Sequence, residues 1–397
     1  MHFVYCWEIG ADLGHITQLA SIGQALQAHG HRVTAIIKDT RHAFSYLYPL
    51  GIAWYQAPLS TAPRPRELPL NHADILRAQG FNSISSLTGL IQAWRSLLQL
   101  LKPDRVLIEA SPTAGLAARS LDLRVVSLDN GFFCPPISKP FPPLRQWRSL
   151  DAAQLLEREA RVLEYVNQAL NRLSLKPLSC FSALFDHETY WLTWPELNHF
   201  GYHSPERHLG PLQSPRHGNC LAWPEGSGKK VFAYLKPNCT ESLPALEWCV
   251  ANGFRVMAYL PLWPKELMER LRQTGRVNLS LEPLALDSIL EACDFTLSHG
   301  GIGTVTHSLR AGKPLLLIPT HVEQFRTALA AVGQQLGLMP FRPAESKVFG
   351  FDIKQLDSCY ERARQFSSGQ PTGQQVMTRL VALLEAANET DKLQVVN

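Results

Sequence analysis

The sequence predicts an α/β fold in which two doubly wound domains each carry a parallel sheet with helices on both faces. Three observations lead to this prediction. Strand-type and helix-type segments alternate along both halves of the chain. A stretch at 201–230 that is rich in Gly, Pro, Ser and His and lacks periodicity separates the halves. The length of 397 residues exceeds what one hydrophobic core usually serves.

The first half opens with a βαβ unit. A β-rich apolar run at 2–7 leads through a loop at 10–15 into a helical segment that ends at Gly30, and a second strand follows at 32–38. The pattern returns as a strand at 104–110, a helix at 112–121 and a strand at 124–130.

Two irregular, Pro-rich loops, 58–72 and 134–146, interrupt this half. Such loops in an α/β domain usually lie at the ends of strands, where ligands bind. A surface excursion without function accounts for either loop equally well.

The second half repeats the alternation without repeating the sequence. Strands are predicted at 231–235, 254–260, 276–281, 295–298 and 314–319, and helices near 242–252, 264–273 and 286–292 and from about 303. Together these segments define an N-terminal domain at 1–210, a linker at 211–230 and a C-terminal domain at 231–370, both domains being Rossmann-like. Residues 371–397 form an amphipathic helix, expected to pack back on the N-terminal domain, and then a tail.

Composition excludes several classes of protein. The formal net charge of +4 is small and shows no strong block, so there is no electrostatic case for a nucleic-acid partner. Eight cysteines form no CxxC pair, which favours reduced thiols in a cytoplasmic protein. The N-terminus does not read as a signal peptide, and no uninterrupted apolar stretch of about 18 residues predicts a transmembrane helix.

The stretch His-Gly-Gly-Ile-Gly-Thr at 299–304 joins a predicted strand to a predicted helix. Helix N-termini carry unpaired N–H groups and a partial positive charge, so they bind phosphates readily. Glycines let the backbone approach a bulky anion, while the side chains of Thr304 and His299 offer hydrogen bonds. We therefore expect a diphosphate here, with His299, Gly300, Gly301, Gly303 and Thr304 as its site; a bare turn is the alternative.

Other phosphate and metal motifs are absent or incomplete. The glycine stretch does not meet GxGxxG. The segment Gly-Ser-Gly-Lys-Lys at 226–230 resembles half a P-loop, but it precedes a strand and lacks the Ser/Thr that would hold magnesium. No HExxH or His/Cys cluster occurs, so no metal site is expected.

Four further residues lie at the end of a predicted strand or follow one. In the first domain, His15 follows the first strand and is a plausible general base near pH 7, and Glu109 ends another strand and is suited to orient it. A solvated or capping histidine is the alternative. In the second domain, Glu323 and Gln324 follow the strand at 314–319 and suit sugar hydroxyls, although Glu is also common in a helix first turn.

These residues together resemble a family, the two-domain GT-B nucleotide-sugar glycosyltransferases that include plant and bacterial enzymes acting on small acceptors. The segments that carry the resemblance are "GADLGHITQLASIGQALQAHGHRV" near the N-terminus and "PLALDSILEACDFTLSHGGIGTVTHSLRAGKPLLLIPTHVEQ" in the second half. The resemblance spans both domains in their order, and the second motif is the more specific.

The resemblance implies a role for each matching position. His15 would be the inverting general base and Glu109, where the family usually has Asp, its orienting carboxylate. The glycine turn would hold the donor diphosphate, and Glu323 and Gln324 the donor sugar. Leu284, following Pro283, falls where backbone groups meet the nucleobase. The displacement in this family is metal-independent.

Three positions depart from the family pattern. His307 stands where a Glu usually binds the ribose, so it is assigned to the nucleoside subsite. Leu281 replaces an aromatic residue that commonly stacks on the base. The segment "YLKPN" at 234–238 replaces a Gly-Ser loop, and Lys236 within it is a candidate point charge for the diphosphate.

The resulting expectation is an inverting glycosyltransferase without a resident cofactor. It would move a sugar from a UDP- or dTDP-sugar to a hydroxyl of a small, partly apolar acceptor. Alternatives are a transferase for a lipid-linked acceptor, with peripheral membrane contact through the segment 86–102, an auxiliary protein that binds nucleotide sugar without transfer, and a sugar-nucleotide epimerase. Core packing of the segment 86–102 is the simpler account of its apolar residues.

Overall fold

The computed structural model describes residues 1–10, 13–201, 204–213, 218–340 and 349–386. The chain divides into two compact units. The first contains Met1–Pro195, a short segment ending at Leu212 and the C-terminal part from Gly373. The second contains Glu196–Gly201 and the chain from Gln213 to Thr372.

The first unit is built on six strands, β1 His2–Trp7, β2 Arg32–Ile37, β3 Ala53–Gln56, β4 Arg105–Glu109, β5 Arg124–Asp129 and β6 Glu188–Trp191. They form one parallel sheet in the order β3-β2-β1-β4-β5-β6. All six residues of β1 are buried because helices cover both faces of the sheet.

Seven helices belong to this unit: α1 Leu13–Ala28, α2 Ala43–Tyr46, α3 His72–Leu76, α4 Ile84–Leu101, α5 Pro112–Arg119, α6 Ala152–Arg172 and, from the C-terminus, α13 Gly373–Glu385. Side chains alternate along β1. Tyr5 and Trp7 therefore pack with α1 on one face, whereas Val4 and Cys6 pack with α4 and α5 on the other.

Helix α4 contains almost all of the segment 86–102, for which peripheral membrane contact was one of the two sequence-based interpretations. Its apolar face, which includes Leu87, Ile91, Trp94 and Leu98, is buried inside the first unit against α5 and α6. This helix therefore packs in the core. Among the described residues, no helix is long and apolar enough to cross a membrane.

Helix α13 packs against α1, and its Val376, Leu380 and Leu384 join the same apolar cluster as Ile16 and Leu19. At the C-terminal end of α13 the contact is also polar: the Glu385 carboxylate accepts hydrogen bonds from His29 Nδ1 at 3.1 Å and from His31 Nε2 at 2.8 Å. The C-terminal helix is thus a part of the first unit.

The second unit repeats the architecture with β7 Lys230–Tyr234, β8 Arg255–Tyr259, β9 Val277–Ser280, β10 Phe295–Ser298, β11 Leu315–Leu317 and β12 Gly337–Leu338. These strands form a parallel sheet in the order β12-β11-β10-β7-β8-β9. Its helices are α7 Ser242–Ala251, α8 Lys265–Arg272, α9 Leu286–Ala292, α10 Ile302–Arg310, α11 Val322–Gly333 and α12 Ile353–Ser368. The two parallel sheets confirm the predicted fold class.

The boundary between the units differs from the linker expected at 211–230. Residues 196–201 join the second unit because they pack on α11: His199 Nε2 lies 2.9 Å from Thr327 Oγ1, and the Arg326 guanidinium lies over the Phe200 ring at 4.4 Å. The expected linker also pairs with the second unit, since the Asn219 amide donates to the Pro283 carbonyl at 3.0 Å.

Each sheet has one place where the strand order reverses. In the first sheet it lies between β1 and β4, and in the second between β7 and β10. Ligands of doubly wound folds bind outside the carboxyl ends of the strands at such a switch point. The carboxyl ends of these four strands are therefore where functional groups are expected.

Candidate functional site

His15 and Glu109 meet at the switch point of the first sheet. Glu109 ends β4, and His15 lies in the first turn of α1, which follows β1. The His15 Nδ1 and Glu109 Oε1 atoms are 2.8 Å apart, and the two side chains are 14% and 11% exposed. The structure thus brings together the two residues that the sequence assigned to proton transfer.

The second carboxylate oxygen of Glu109 is held from the opposite side. The Tyr5 hydroxyl donates to Glu109 Oε2 at 2.8 Å, and Gln18 Nε2 donates to the Tyr5 oxygen at 3.2 Å. Burial and the neighbouring carboxylate raise the pKa of Tyr5 well above its ordinary value. Tyr5 therefore stays protonated and keeps donating to Glu109.

The imidazole of His15 is packed as well as hydrogen-bonded. The Trp7 indole stacks on it with centroids 4.7 Å apart and an interplanar angle of 19°. Gly10 has a φ of +102°, and a Cβ there would lie 2.3 Å from His15 Nε2. Glycine is required at this position, because any side chain would collide with the ring.

This arrangement suits general-base chemistry. An ionised carboxylate only accepts hydrogen bonds, so His15 Nδ1 carries the proton of the neutral imidazole and Nε2 carries the lone pair. When Nε2 takes a proton, Glu109 stabilises the resulting imidazolium, as a buried carboxylate does in other histidine-based sites.

An apolar cavity lies in the first unit, where β4 ends and α5 begins. Ile9 and Ala110, the residues after Glu8 and Glu109, form part of its wall, together with Phe133, Phe185 and His187. Burial lowers the pKa of His187 to about 4, so this wall is uncharged at neutral pH.

The two Pro-rich loops border this cavity and are held to each other. The Leu144 amide donates to the Leu70 carbonyl at 2.7 Å. The Glu159 carboxylate of α6 accepts from Asn71 Nδ2 at 2.8 Å and from the Phe141 amide at 2.7 Å. The loops therefore build a fixed rim, and His72 and Cys134 at their ends line the cavity.

In the second unit, the glycine turn leaves β10 at the switch point. Gly300 has a φ of +82°, and a Cβ there would lie 3.1 Å from the Gln324 carbonyl, so this glycine serves the fold. Gly301 is the residue before α10 and has an ordinary φ of −62°. A Cβ on Gly301 would meet no protein atom within 4 Å, so the fold itself does not require glycine there.

His299 is placed differently from the expectation that it donates to a diphosphate. Its Nδ1 donates to the Ile318 carbonyl at 3.0 Å, and its Nε2 accepts from the Lys236 amide at 2.8 Å. Burial lowers the pKa of this imidazole, which keeps it neutral. Since both nitrogens have backbone partners, His299 joins the ends of β10, β7 and β11 and does not point a donor at a ligand.

The remaining diphosphate residues lie around the start of α10. The Thr304 amide turns back to the Gly301 carbonyl at 3.0 Å, and its side chain is buried in the first helical turn, which also contains Gly303. Lys236 follows β7 across the switch point, and its carbonyl accepts from Ser242 Oγ at 2.9 Å. The helix start and the Lys236 loop thus share one edge of the sheet.

The residues assigned to the nucleoside are mostly engaged within the protein. The Pro283 carbonyl and the Ala285 amide bond to the backbone of Asn219, which leaves only the backbone groups of Leu284 itself for a base. The Leu284 side chain is buried in an apolar cluster with Phe232 and Met257.

His307 is also buried, and its Nδ1 donates to the Gly303 carbonyl one turn earlier at 2.8 Å. It therefore binds the backbone of its own helix through Nδ1. The assignment of His307 to the nucleoside subsite stays a prediction.

Glu323 and Gln324 lie in the first turn of α11, at the same carboxyl edge as the glycine turn. Gln324 Oε1 accepts from the Thr320 amide at 3.0 Å and from its hydroxyl at 2.8 Å. Gln324 thus closes the turn before α11, and Glu323 stands beside it at the helix start.

Several residues near the switch points were not predicted from the sequence. Tyr5 lies in β1 and Glu8 directly follows it, and Tyr234 and Tyr259 end β7 and β8 with their rings stacked 4.9 Å apart. A charged residue directly after the apolar run at 2–7 is the signal that could have singled out Glu8. The tyrosine pair could not be found, because only the strand order makes the two ends neighbours.

Metal-binding side chains are not grouped in this protein as far as the structure describes it: no cluster of three or more His, Cys, Asp or Glu residues could hold an ion there. The charges that would meet an anion in the second unit are the helix start and Lys236.

No protein-family model matches this chain, and no curated protein matches it significantly. Solved structures do match along nearly the whole chain. The glycosyltransferase of kitacinnamycin has a TM-score of 0.69 at 17% identity and covers 97% of this chain and 98% of its own. CalG4, the calicheamicin glycosyltransferase, has a TM-score of 0.69 at 16% identity, and the match covers 98% of this chain and 99% of CalG4.

The glycosyltransferase VinC, solved in complex with dTDP, has a TM-score of 0.62 at 15% identity and covers 100% of this chain and 99% of its own. At such identities a likeness over both units establishes architecture. The chain therefore has the GT-B fold that these glycosyltransferases share.

Proposed function

We propose that this protein is an inverting, metal-independent glycosyltransferase that moves a sugar from a pyrimidine nucleotide diphosphate donor to a hydroxyl of a small, partly apolar acceptor. The observation that carries the proposal is the 2.8 Å contact between His15 and Glu109 at the first switch point, in the unit that also contains the apolar cavity. A binding protein without transfer activity would have no use for a buried, oriented base.

The acceptor hydroxyl gives its proton to His15 Nε2, and the acceptor oxygen forms a bond to the anomeric carbon of the donor sugar. The bond from that carbon to the diphosphate oxygen breaks, and the nucleoside diphosphate leaves with the bonding electrons. Glu109 stabilises the imidazolium during this step. The apolar cavity is the place for the body of the acceptor.

The start of α10 supports the assignment of the leaving group. Unpaired amides and the helix dipole stabilise the charge that develops on the diphosphate, and Lys236 adds a positive charge across the switch point. On the β11 side of this point, Glu323 and Gln324 suit sugar hydroxyls. On the β7 and β8 side, the Tyr234 and Tyr259 rings suit a flat base, so the donor would lie along this edge.

The donor base is proposed as uracil or thymine. The glycosyltransferase VinC, which shares the fold, was solved with dTDP. UDP-glucose and dTDP-glucose are therefore the first donors to test.

The replacement His15→Ala tests the reaction. We expect transfer from either donor, assayed by mass spectrometry in the presence of EDTA, to fall at least about a thousandfold. Calorimetric affinity for UDP or dTDP should stay unchanged, because α10 lies in the other unit. Near-normal transfer by the variant would remove the base assignment, and hydrolysed or epimerised donor as the sole product would replace the proposed reaction.

A further inference from the structure

We infer that Glu8 is a positioning residue for the acceptor, because its carboxylate joins the end of β1 to the start of α5 and thereby sets one wall of the apolar cavity. This inference rests on the proposed function, since it assigns the cavity to the acceptor. Glu8 does not touch the cavity itself; it acts through Ser111 and the backbone on either side.

The contacts of Glu8 are dense and specific. Glu8 Oε2 accepts from Ser111 Oγ at 3.0 Å and from the Ala114 amide at 3.2 Å. Glu8 Oε1 accepts from Thr113 Oγ1 at 2.5 Å and from the Thr113 amide at 3.3 Å. A single side chain directly after β1 thus satisfies amides at the start of α5 that would otherwise lack partners.

A local cap does not perform this task. Ser111 occupies the position before α5, where a serine side chain commonly accepts from the helix amides, but it makes no such bond. It donates to Glu8 instead. The start of α5 is therefore fixed relative to β1, and not only to its own loop.

The same segments form the wall of the cavity. Ile9 follows Glu8, and Ala110, Ser111 and Pro112 precede or begin α5; all four line the cavity. The Ile9 amide donates to the Ala110 carbonyl at 3.0 Å, and Ala110 has a φ of +44°, which is unusual for a residue with a side chain. The Glu8 contacts hold this strained turn in place.

Stability alone does not explain a carboxylate at this position. Burial raises the pKa of Glu8 to about 7, although the hydroxyl and amide donors act in the opposite direction. The folded protein therefore disfavours the charged form at neutral pH relative to the unfolded chain. Glu8 interacts electrostatically with the ammonium group of Lys38 and with the thiol of Cys6, which is also titratable. Residues that oppose stability are expected where function requires them.

The experiment compares Glu8→Gln and Thr113→Val with the wild type. Thr113 bonds to Glu8 but does not line the cavity. Its replacement therefore tests the hydrogen bond to Glu8 without changing a side chain of the cavity wall. The control is Thr193→Val, which alters an equally buried threonine of the same unit whose hydroxyl has no hydrogen-bond partner. Binding of the fluorescent phenol umbelliferone and of UDP are measured separately on each full-length protein, together with the transfer KM for umbelliferone.

We expect both test variants to weaken umbelliferone binding and raise its KM about tenfold, with UDP affinity unchanged and the control like the wild type. A purely structural role would lower the folded fraction without changing KM. Wild-type umbelliferone affinity in a folded Glu8→Gln or Thr113→Val protein would overturn the inference, as would absence of binding to the wild type. If Glu8→Gln does not fold, Thr113→Val decides the matter.

Failure of this inference and failure of the proposed function give different results. An inactive His15→Ala protein combined with unchanged umbelliferone binding in the Glu8 and Thr113 variants would reject the role of Glu8 alone. An active His15→Ala protein would reject the reaction mechanism, whereas the binding comparison would still report on the wall.

Discussion

The two glycines before α10 have different reasons to be glycine. Gly300 adopts a left-handed φ of +82° and approaches the backbone of α11, so the fold needs it. Gly301 has an ordinary backbone conformation and open space around its Cβ position. A glycine that the fold does not require, at the start of a helix at a switch point, is best explained by close approach of a bound group.

This difference predicts opposite results for two alanine variants. Gly301→Ala should keep the melting temperature of the wild type and lose about tenfold in calorimetric affinity for UDP or dTDP, because the methyl group occupies the path of the diphosphate. Gly300→Ala should lose about 1 kcal/mol or more of unfolding free energy. Unaltered nucleotide affinity in a folded Gly301→Ala protein would move the diphosphate away from this turn.

The buried carboxyl of Glu8 predicts a pH dependence of stability. Its pKa is raised from 4.5 to about 7 in the folded state, so the fold keeps the proton over a range in which the unfolded chain has lost it. The unfolding free energy therefore falls as the pH rises from about 4.5 to about 7 through this group.

Glu8→Gln cannot titrate and should remove that part of the slope. Urea unfolding at pH 5 and pH 8 measures this contribution. We expect the unfolding free energy to fall more between pH 5 and pH 8 in the wild type than in Glu8→Gln. Equal slopes would show that Glu8 is already ionised at pH 5.

At the scale of elements, α13 supports the helix that carries His15. It packs on α1, which carries His15, through leucine and valine side chains that are wholly buried. Arg105 Nη2 and Arg124 Nη1 donate to the Ala386 carbonyl at 2.8 Å each, which closes the end of this helix. The last described residues of the chain are therefore part of the framework of its first sheet.

Removing one of these side chains should be costly. Leu380→Ala is expected to lower the unfolding free energy by about 2–5 kcal/mol, since it leaves a cavity between α13 and α1. Thr378→Ala on the exposed side of the same helix should change it by less than about 0.5 kcal/mol. Urea unfolding monitored by circular dichroism compares them, and a similar loss for both variants would contradict the packing of α13 on α1.

At the scale of the whole molecule, each unit presents one switch point with its own chemistry. The first carries the His15–Glu109 pair in a unit that also holds an apolar cavity, and the second carries a helix start, a lysine loop and a pair of tyrosines. Such a division assigns the acceptor to one unit and the donor to the other, which is how the GT-B architecture serves group transfer in the proposed function.

Nucleotide binding should stabilise the protein as a whole. We expect UDP or dTDP to raise the melting temperature by several degrees at a concentration of about a hundred times its Kd, and GDP to raise it less. Thermal-shift measurements on the wild type and on Gly301→Ala provide the comparison. A larger shift with GDP would reject a pyrimidine donor.

The alternation of apolar runs and helical patterns was enough to predict two parallel α/β domains. Strands that helices cover on both faces are apolar along their length, and this is visible in the local sequence. It was also enough to place His15, Glu109 and the glycine turn at strand ends. The pairing of His15 with Glu109 needed the register of β1 against β4, which sets Trp7 beside Glu109. Strand order of this kind depends on contacts between distant segments.

Hydrogen-bond partners and shared walls were decided by packing in three dimensions. His299 resembles a ligand-binding residue in sequence, yet a backbone carbonyl and a backbone amide of neighbouring segments bond to both of its nitrogens. His307 donates from Nδ1 to a carbonyl of its own helix. Glu8 looked like the end of a strand, yet it holds a helix that begins over a hundred residues later. The physical reason is the same in each case: a buried polar atom must find a partner, and which partner lies within reach is a property of the folded chain.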